Sequence, residues 1–425
     1  MEIFSIIPFF YAIIAFCLVV FVHELGHYLV AKWCGIKSTD FSIGFGPELF
    51  SIIDKNGTKW KICLIPLGGY VKFVQSEKDG KKNIEDQSFD NASVFKRALT
   101  VVAGPISNFI LAFVLFFLSA FISGVGTNDP IIGKAYELPG ASDFFEKGDK
   151  IISINDYPVK NFSDVFEISS NSQFEGKISV LIERKNNIEE IFLPFIFQPI
   201  VLAVETLSPA SKAGLKPGDV FISIGNKKIN NFEDIRNIVL SSRGEELDVK
   251  IWRKNKIINL KLNPELRPTE TADGNLKEVL RIGVRGGPPF EPIRKTPSIL
   301  MASKISLNMT FYVIKMSIIG IIKIIDNTIS PKHLNGPIGV AKALTETSYQ
   351  GLAAFISLVG AISAGLGLIN LFPIPVLDGG YLMIFLYEAI FRKRPPEKVL
   401  NLLMFIGLFL ILSIMIFATF NDLMR

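Results

Sequence analysis

Two of the three histidines in this chain, His23 and His27, flank Glu24 in the run His-Glu-Leu-Gly-His. Residues four apart lie on one face of a helix, so both imidazoles can bind one metal ion while Glu24 lies beside it to activate water. Taken alone, the run also fits an ordinary amphipathic helix. However, it follows about twenty nearly uncharged residues, and ionisable groups at membrane depth are usually paired, metal-bound or functional. The pattern therefore predicts zinc-hydrolase chemistry at the end of a membrane span.

A catalytic zinc site needs a third protein ligand and an open position. His333 is one candidate, and Asp378 is the better one. Asp378 lies in an apolar run over 370–380, Asn-Leu-Phe-Pro-Ile-Pro-Val-Leu-Asp-Gly-Gly, whose prolines and glycines interrupt a regular helix. Irregular backbone at membrane depth is tolerated only where it is buried in protein or lines a wet cavity. We therefore predict Asp378 as the third ligand and His333 as a surface-loop residue, while noting that this ligand set would also suit iron.

The composition is that of an integral membrane protein with a soluble insert. Apolar residues make up 49% of the chain and phenylalanines number 36, which is more than soluble proteins of this size carry. The formal charge of +5 is small and scattered, which argues against nucleic-acid binding. The three cysteines all precede residue 64 and show no paired spacing, so we expect no disulfide framework.

Four apolar segments are each long enough to cross the ~30 Å hydrocarbon core. They cover about 4–22, 98–123, 352–390 and 399–420. The third segment should consist of a helix, a break that carries Asp378 and a second helical piece ending near Ile390. A fifth run, Phe311 to Ile325, contains two lysines and is too short to cross. We expect it to be an amphipathic helix at the outer interface, and a reentrant helix or a buried helix of the insert is the alternative.

The loop charges predict the orientation of the spans. Eleven Lys and Arg residues lie from Lys32 to Arg97, and four lie in the link 392–398. The positive-inside rule places both of these loops in the cytoplasm, with the termini and the region 124–300 on the opposite side. The first segment lacks a basic leading region and a small-residue cleavage site, so we expect a retained span rather than a signal peptide.

The insert contains an internal repeat. Eight of the eighteen positions over 148–165 are identical to those seventy residues later, beginning with Gly-Asp and ending with Asn-Phe-x-Asp. This predicts two tandem copies of one small α/β domain, a first copy over 124–200 and a second copy over 201–290. The second copy, with its run Ser-Pro-Ala-Ser-Lys-Ala-Gly-Leu-Lys-Pro-Gly-Asp over 208–219, resembles a PDZ domain of bacterial envelope proteases. Such domains accept an extended peptide at a sheet edge, although both copies could also act only as spacers that obstruct access.

The first basic loop contains a hairpin signal. Two strand-like runs, 41–47 and 59–70, flank Asp-Lys-Asn-Gly at 54–57. Such a hairpin could pair with an unwound substrate strand, or it could be a peripheral cytosolic element without substrate contact.

Together these motifs resemble the site-2 proteases (peptidase family M50), in particular the bacterial regulator of sigma-E protease type, over nearly the whole chain. The resemblance is carried by His-Glu-Leu-Gly-His at 23–27, Gly-Pro-Ile-Ser-Asn at 104–108, the 370–380 run with Leu-Asp-Gly, and the tandem PDZ-like insert. It implies a helical membrane fold of four transmembrane helices, with a cytoplasmic reentrant β-hairpin and two PDZ-like domains between spans two and three. The remaining parts would be an N-terminal membrane part over 1–123, an interfacial helix and linker over 291–350, and a C-terminal membrane part over 351–425.

The resemblance also implies roles for single residues. His23, His27 and Asp378 would hold Zn²⁺, and Glu24 would be the catalytic base. Asn370 would lie beside the substrate, unless it only packs helices, and Asn108 would be a packing residue or would support a ligand. The substrate would be a single-span protein of the bacterial inner membrane, such as an anti-sigma factor trimmed on its outer side, or a signal-peptide remnant. The PDZ-like domains would lie in the periplasm, and the partners would be this substrate and membrane lipid.

Two other classes of protein remain open. A metal transporter would also place His and Asp at the membrane midplane, but it usually shows repeated, pseudosymmetric spans, and Glu24 would have no task in it. A non-catalytic membrane scaffold would hold other envelope proteins with its PDZ-like copies and would need neither Glu24 nor Asp378. Replacing Glu24 separates these classes from a protease.

Overall fold

The computed structural model describes residues 6–74, 87–139, 145–171, 178–193 and 199–424. The start expected for the first span, at residue 4, lies outside these residues. The chain forms two compact units. The first, called the helical unit, comprises Met1–Ile122, Ser298–Ile322 and Leu334–Arg425. The second, called the inserted unit, comprises Ser123–Pro297 and Lys323–His333.

The described residues form ten α-helices and eighteen strands. The helices are α1 (Ile6–Trp33), α2 (Val94–Ser123), α3 (Phe162–Asn171), α4 (Pro209–Lys212), α5 (Phe232–Ser241), α6 (Ile299–Ile325), α7 (Pro337–Ser348), α8 (Leu352–Asn370), α9 (Asp378–Phe391) and α10 (Glu397–Met424). The strands are β1 (Ser38–Ile53), β2 (Lys59–Phe73), β3 (Val125–Gly126), β4 (Ile132–Ala135), β5 (Lys150–Ile154), β6 (Tyr157–Pro158), β7 (Ile178–Arg184), β8 (Asn187–Leu193), β9 (Ala203–Val204), β10 (Val220–Ile224), β11 (Lys227–Lys228), β12 (Leu247–Arg253), β13 (Lys256–Leu262), β14 (Glu265–Glu270), β15 (Leu276–Arg281), β16 (Val284–Arg285), β17 (Phe290–Pro292) and β18 (Arg294–Lys295).

Five of the described helices are long and apolar enough to cross a membrane, where the sequence led us to expect four. They are α1 (from Phe10), α2, α6, α8 and α10. The additional helix is α6, which begins twelve residues before the expected start at Phe311. Ser306 and Thr310 are polar, but each hydroxyl donates to the carbonyl four residues earlier, so both are satisfied inside the helix. The helix therefore continues through residues that interrupt the apolar run in the sequence.

The expected break in the third apolar segment is confirmed. Helix α8 ends at Asn370, and α9 begins at Asp378. The residues between them include Pro373 and Pro375, which cannot continue a regular helix. The break puts Asp378 at the first position of a helix, where the positive end of the helix dipole stabilises a carboxylate.

Strands β1 and β2 form the predicted hairpin around Asn56-Gly57, and the pairing makes it a curled sheet. The segment 38–43 of β1 pairs with two segments of β2, because Ser42 lies opposite both Tyr70 and Lys61. The pairings of residues 69–73 are to 38–43 alone, so 69–73 forms one edge of this sheet. Gly57 has a φ of 82°, which a tight hairpin turn requires.

The two copies in the inserted unit have the same strand order. Their sheets have the strand orders β6-β5-β7-β8 and β11-β10-β12-β13, and each copy contains one ten-residue helix. The repeated Gly-Asp has the same structural role in both. Asp149 binds Arg184 at 2.7 Å, and Asp219 binds Arg253 with its two oxygens at 2.6 and 2.7 Å. Both carboxylates are buried, so each pair ties a turn to a neighbouring strand.

The boundary of the second copy at residue 290 needs one correction. Phe290 begins β17, which pairs with β4 of the first copy. Its side chain lies in the core of the first copy, where it contacts Phe145 and Phe162. The first copy is therefore completed by residues that follow the second copy. A repeat in sequence reports similarity between segments and cannot report pairing between distant strands.

Candidate metal centre

The three predicted metal ligands converge at one point in the helical unit. His23 and His27 lie one turn apart on α1, and Asp378 opens α9. The Nε2 atoms of the two histidines are 3.2 Å apart. Oδ2 of Asp378 lies 3.2 Å from Nε2 of His23 and 3.5 Å from Nε2 of His27. Both imidazoles are buried, so they are removed from competing water.

These distances fit a tetrahedral zinc ion. Zinc bonds of about 2.0–2.1 Å to nitrogen and oxygen put neighbouring tetrahedral ligands about 3.3 Å apart. The three separations of 3.2, 3.2 and 3.5 Å lie close to that value. Within the described part of the chain, Oδ2 of Asp378 is also buried without an aligned hydrogen-bond partner, which is costly for a carboxylate oxygen unless a cation binds it. The donor set and its spacing therefore match a catalytic zinc site with three protein ligands.

The backbone around Asp378 is compact and locally strained. A Cβ on Gly379 would lie 2.2 Å from the carbonyl oxygen of Leu371, and one on Gly380 would lie 2.4 Å from that of Ile374. Only glycine fits where the break folds back on the start of α9. Val376 has a φ of 87°, which is rare for a β-branched residue and costs about 1–3 kcal/mol. This strain lies two residues before the carboxylate that completes the site.

Helix α2 supports both imidazoles without supplying a ligand. Nδ1 of His27 donates to the carbonyl oxygen of Thr100 at 2.9 Å, which leaves Nε2 free to bind metal. The side-chain amide of Asn108 lies 3.2 Å from Nδ1 of His23. Gly104 lies midway between Thr100 and Asn108 on the same face of α2. It provides the space that the imidazole of His27 occupies, since a Cβ there would lie 2.3 Å from Nε2 of His27.

The glycine inside the His-Glu-Leu-Gly-His run lets α1 approach α2. A Cβ on Gly26 would lie 2.5 Å from the carbonyl oxygen of Ala103 and 2.6 Å from Oγ of Ser107. Ser107 itself donates to the carbonyl of Val22 at 2.8 Å. The small residue and this hydrogen bond set the close crossing that brings the ligands against α2.

The edge segment 69–73 of the curled sheet lies beside Glu24. Gly69 on β2 lies against the side chain of Glu24, because a Cβ there would be 3.1 Å from Cγ of Glu24 and 2.7 Å from the carbonyl oxygen of Ser42. The candidate base therefore lies between the metal ligands and a sheet edge.

The other predicted residues divide between the two units. Nδ2 of Asn370, the last residue of α8, lies 3.3 Å from Nε2 of His23, so this amide borders the metal site. His333 belongs to the inserted unit, where its Nε2 lies 3.0 Å from Oε1 of Glu278. His333 is the last residue of a short 3-10 helix, Pro331–His333, and is not part of the His23, His27 and Asp378 cluster.

The His-His-Asp cluster on long apolar helices has the donor set of a membrane metalloenzyme, and comparison with known proteins identifies the class as a metalloprotease. The model of "Peptidase family M50" matches residues 11–414. The chain is 34% identical to a protein of Agrobacterium fabrum, 33% identical to one of Rickettsia conorii and 31% identical to one of Neisseria meningitidis. These alignments cover 98%, 96% and 97% of this chain and 95%, 96% and 98% of the relatives, each of which is named "Putative zinc metalloprotease".

The chain belongs to peptidase family M50, the site-2 proteases. It is a multi-pass membrane metalloprotease, and zinc is its cofactor. Among solved structures, a PDZ domain of an SdrC-like protein from Listeria monocytogenes matches 22% of this chain and 90% of that domain, at 15% identity and a TM-score of 0.17, which is too low to carry an argument.

Proposed function

We propose that this protein is an intramembrane protease that hydrolyses single-span membrane proteins within their transmembrane segments. The convergence of His23, His27 and Asp378 carries this proposal. The two histidines lie on a helix long and apolar enough to cross a membrane, and Asp378 follows another such helix after the break at 371–377. A hydrolytic centre built on such helices acts on bonds that lie within the membrane.

Each residue has a distinct part in the proposed reaction. His23, His27 and Asp378 would hold the zinc ion, which when bound supplies the Lewis acid that makes water nucleophilic at neutral pH. The carboxylate of Glu24 accepts a proton from the attacking water and returns it to the leaving amine. The side-chain amide of Asn370 donates a hydrogen bond to the substrate carbonyl and stabilises its developing negative charge.

The edge of the curled sheet offers a place where an unwound substrate segment can bind as an extended strand. A helical substrate hides its scissile carbonyl in its own hydrogen bonds, so it must unwind before hydrolysis. In an antiparallel pair, alternate residues turn their N–H and C=O groups away from the partner strand. Gly69 in the edge segment 69–73 lies against Glu24. Within the described part of the chain, 69–73 pairs only with 38–43, so its other side is available to a further strand. An unwound substrate strand that pairs with this edge would lie beside the base.

We assign four membrane crossings, made by α1, by α2, by α8 with α9, and by α10. Helix α6 lies at the outer surface in this assignment, because the links on both sides of it attach to outer ends of crossing helices. Lys295 before it pairs with Val125, directly after α2. Gly336 after it donates its N–H to Asp422 near the end of α10. A helix that crossed once would leave these links on opposite sides.

The family resemblance and the basic loops support the placement of the protein and its partners. The protein would lie in the bacterial inner membrane, with the hairpin reentering from the cytoplasm and the inserted unit in the periplasm. The two PDZ-like copies would admit substrates already trimmed on the outer side. Such substrates include a trimmed anti-sigma factor of envelope-stress signalling and signal-peptide remnants.

The test compares wild type and Glu24→Gln, purified in detergent, for bound zinc and for cleavage of a tagged single-span substrate. We expect both proteins to hold one zinc and only wild type to cut. Glu137→Gln, a change at an exposed glutamate of the inserted unit, is the matched control and should cut like wild type. Equal cleavage by Glu24→Gln would show that Glu24 is not the base. Bound zinc without cleavage by wild type would favour the transporter, and neither zinc nor cleavage in either protein would favour the scaffold.

A further inference from the structure

The second ring nitrogen of His23 faces an amide whose own hydrogen bonds are incomplete. Asn108 is fully buried on α2, and its Nδ2 lies 3.2 Å from Nδ1 of His23. Its other terminal atom, Oδ1, is buried and has no hydrogen-bond partner among the residues that the structure describes. A buried amide oxygen without a donor is unfavourable by about 1–3 kcal/mol, so its arrangement calls for an explanation.

Metal binding decides which end of the amide must face the ring. A neutral imidazole carries one proton, and a histidine that binds metal through Nε2 carries that proton on Nδ1. This Nδ1–H is a donor and requires an acceptor, which an amide NH₂ group cannot provide. The two ends of an amide have nearly the same shape, so a half-turn about its last bond brings Oδ1 of Asn108 to Nδ1 of His23.

At His27, a backbone carbonyl provides the acceptor that the Nδ1 proton requires. Its Nδ1 lies 2.9 Å from the carbonyl oxygen of Thr100, which can only accept a hydrogen bond. Thr100 and Asn108 are two turns apart on one face of α2, and both are fully buried. One helix thus places a backbone oxygen behind His27 and an amide group behind His23, and a half-turn of that amide would put an oxygen there as well.

We propose that Asn108 is a positioning residue that accepts the Nδ1 proton of His23 and so directs the Nε2 lone pair to the metal. The proposal rests on the ligand assignment under the proposed function. It gives the asparagine of the Gly-Pro-Ile-Ser-Asn run a chemical role in place of simple helix packing.

Two variants of the full-length protein test whether Asn108 acts as a hydrogen-bond acceptor or only fills space between the helices. Asn108→Leu keeps the approximate volume and removes every hydrogen bond, whereas Asn108→Asp keeps an oxygen acceptor and removes the NH₂ donor. The readout is the zinc dissociation constant of the purified protein, measured by competition with a chelator. We expect Asn108→Leu to bind zinc about 10- to 100-fold more weakly, and Asn108→Asp to stay within a few-fold of wild type.

A neighbouring control distinguishes this effect from general damage to α2. Ser363 is also fully buried, and its hydroxyl donates to the backbone carbonyl of Asn108 at 2.8 Å without contacting an imidazole. Ser363→Ala should leave zinc affinity nearly unchanged. The proposal is overturned if Asn108→Leu binds zinc like wild type, or if Asn108→Asp loses as much affinity as Asn108→Leu.

The same titration checks the ligand assignment separately. His23→Ala should abolish tight zinc binding whatever the role of Asn108. If His23→Ala retains wild-type affinity, the assigned ligand set is wrong. If His23→Ala fails to bind but both Asn108 variants bind normally, only the positioning role is wrong.

Discussion

Gly104 is the position where the smallest substitution should most strongly weaken zinc binding. A Cβ there would lie 2.3 Å from Nε2 of His27 and 2.9 Å from Cε1 of His23. The imidazole of His27 has little freedom to turn away, because its Nδ1 is hydrogen-bonded to the carbonyl oxygen of Thr100. Gly104→Ala should therefore displace the ligands while leaving all three of them in the chain.

The size of the effect follows from the distances. An ordinary contact begins near 3.4 Å, so Nε2 of His27 must move by about 1.1 Å, the difference between 3.4 and 2.3 Å. Metal sites hold their ligand distances to within about 0.2 Å. Forcing one extra methyl group into a packed site costs about 1–3 kcal/mol, which corresponds to a loss of about 5- to 150-fold in zinc affinity. Alanine favours a helix over glycine by about 1 kcal/mol, so α2 itself should not be weakened.

The assay is zinc competition on purified Gly104→Ala, together with cleavage of the single-span substrate. Gly365→Ala on α8 is the matched control, because a Cβ on Gly365 would meet nothing within 4 Å. We expect the control to bind zinc and cleave like wild type. Zinc affinity of Gly104→Ala within twofold of wild type would refute the packing argument.

Three further outcomes are expected. Arg97→Met breaks the buried ion pair with Glu388, whose atoms are 2.7 Å apart, and should lower stability by up to about 3–5 kcal/mol in thermal unfolding; an unchanged midpoint would contradict this. Burial alone would raise the pKa of Asp54, but hydrogen bonds from the hairpin backbone and from Trp60 hold that pKa well below its usual range. The ionised carboxylate of Asp54 therefore stabilises the fold fully above about pH 4, and this stabilisation is lost as the pH falls toward the lowered pKa. Asp54→Asn should lower the thermal unfolding midpoint at pH 7 and lower it less at pH 3. An equal difference from wild type at both pH values would contradict this. Asn370→Leu should cut more slowly and still bind zinc, and parallel losses of both would instead indicate a structural role.

The sequence identifies the side chains of the site because their chemistry depends on residue type. Histidines four apart, an adjacent glutamate and an aspartate in an interrupted apolar segment are each unusual, and the structure brings them together with Asn370. The break before Asp378 is equally visible, since prolines restrict the backbone wherever they occur. The spacing of residues along the chain could not decide between His333 and Asp378 as the third ligand. The prolines and glycines around Asp378 could, because they interrupt a helix within an apolar segment.

The contacts missing from the sequence prediction belong mainly to the backbone. The carbonyl group that binds His27 at Thr100 exists in every residue type, so no sequence pattern marks it. The need for glycine at position 104 depends on how closely two helices cross. The strand that begins at Phe290 depends in the same way on pairing with a strand more than 150 residues earlier. Such features are properties of the folded chain and leave no local pattern in the sequence.

Helix α2 determines the metal site although it contributes no ligand. Its N-terminal turn binds α9 through Arg97 and Glu388, and α9 begins with Asp378. Its middle holds His27 through Thr100 and makes space for it at Gly104. A small movement of α2 would therefore shift the imidazoles and the carboxylate relative to one another, even though all three side chains were unchanged. The tolerance of a metal site is a few tenths of an ångström, so zinc binding should depend on the packing of this helix as well as on the ligands themselves.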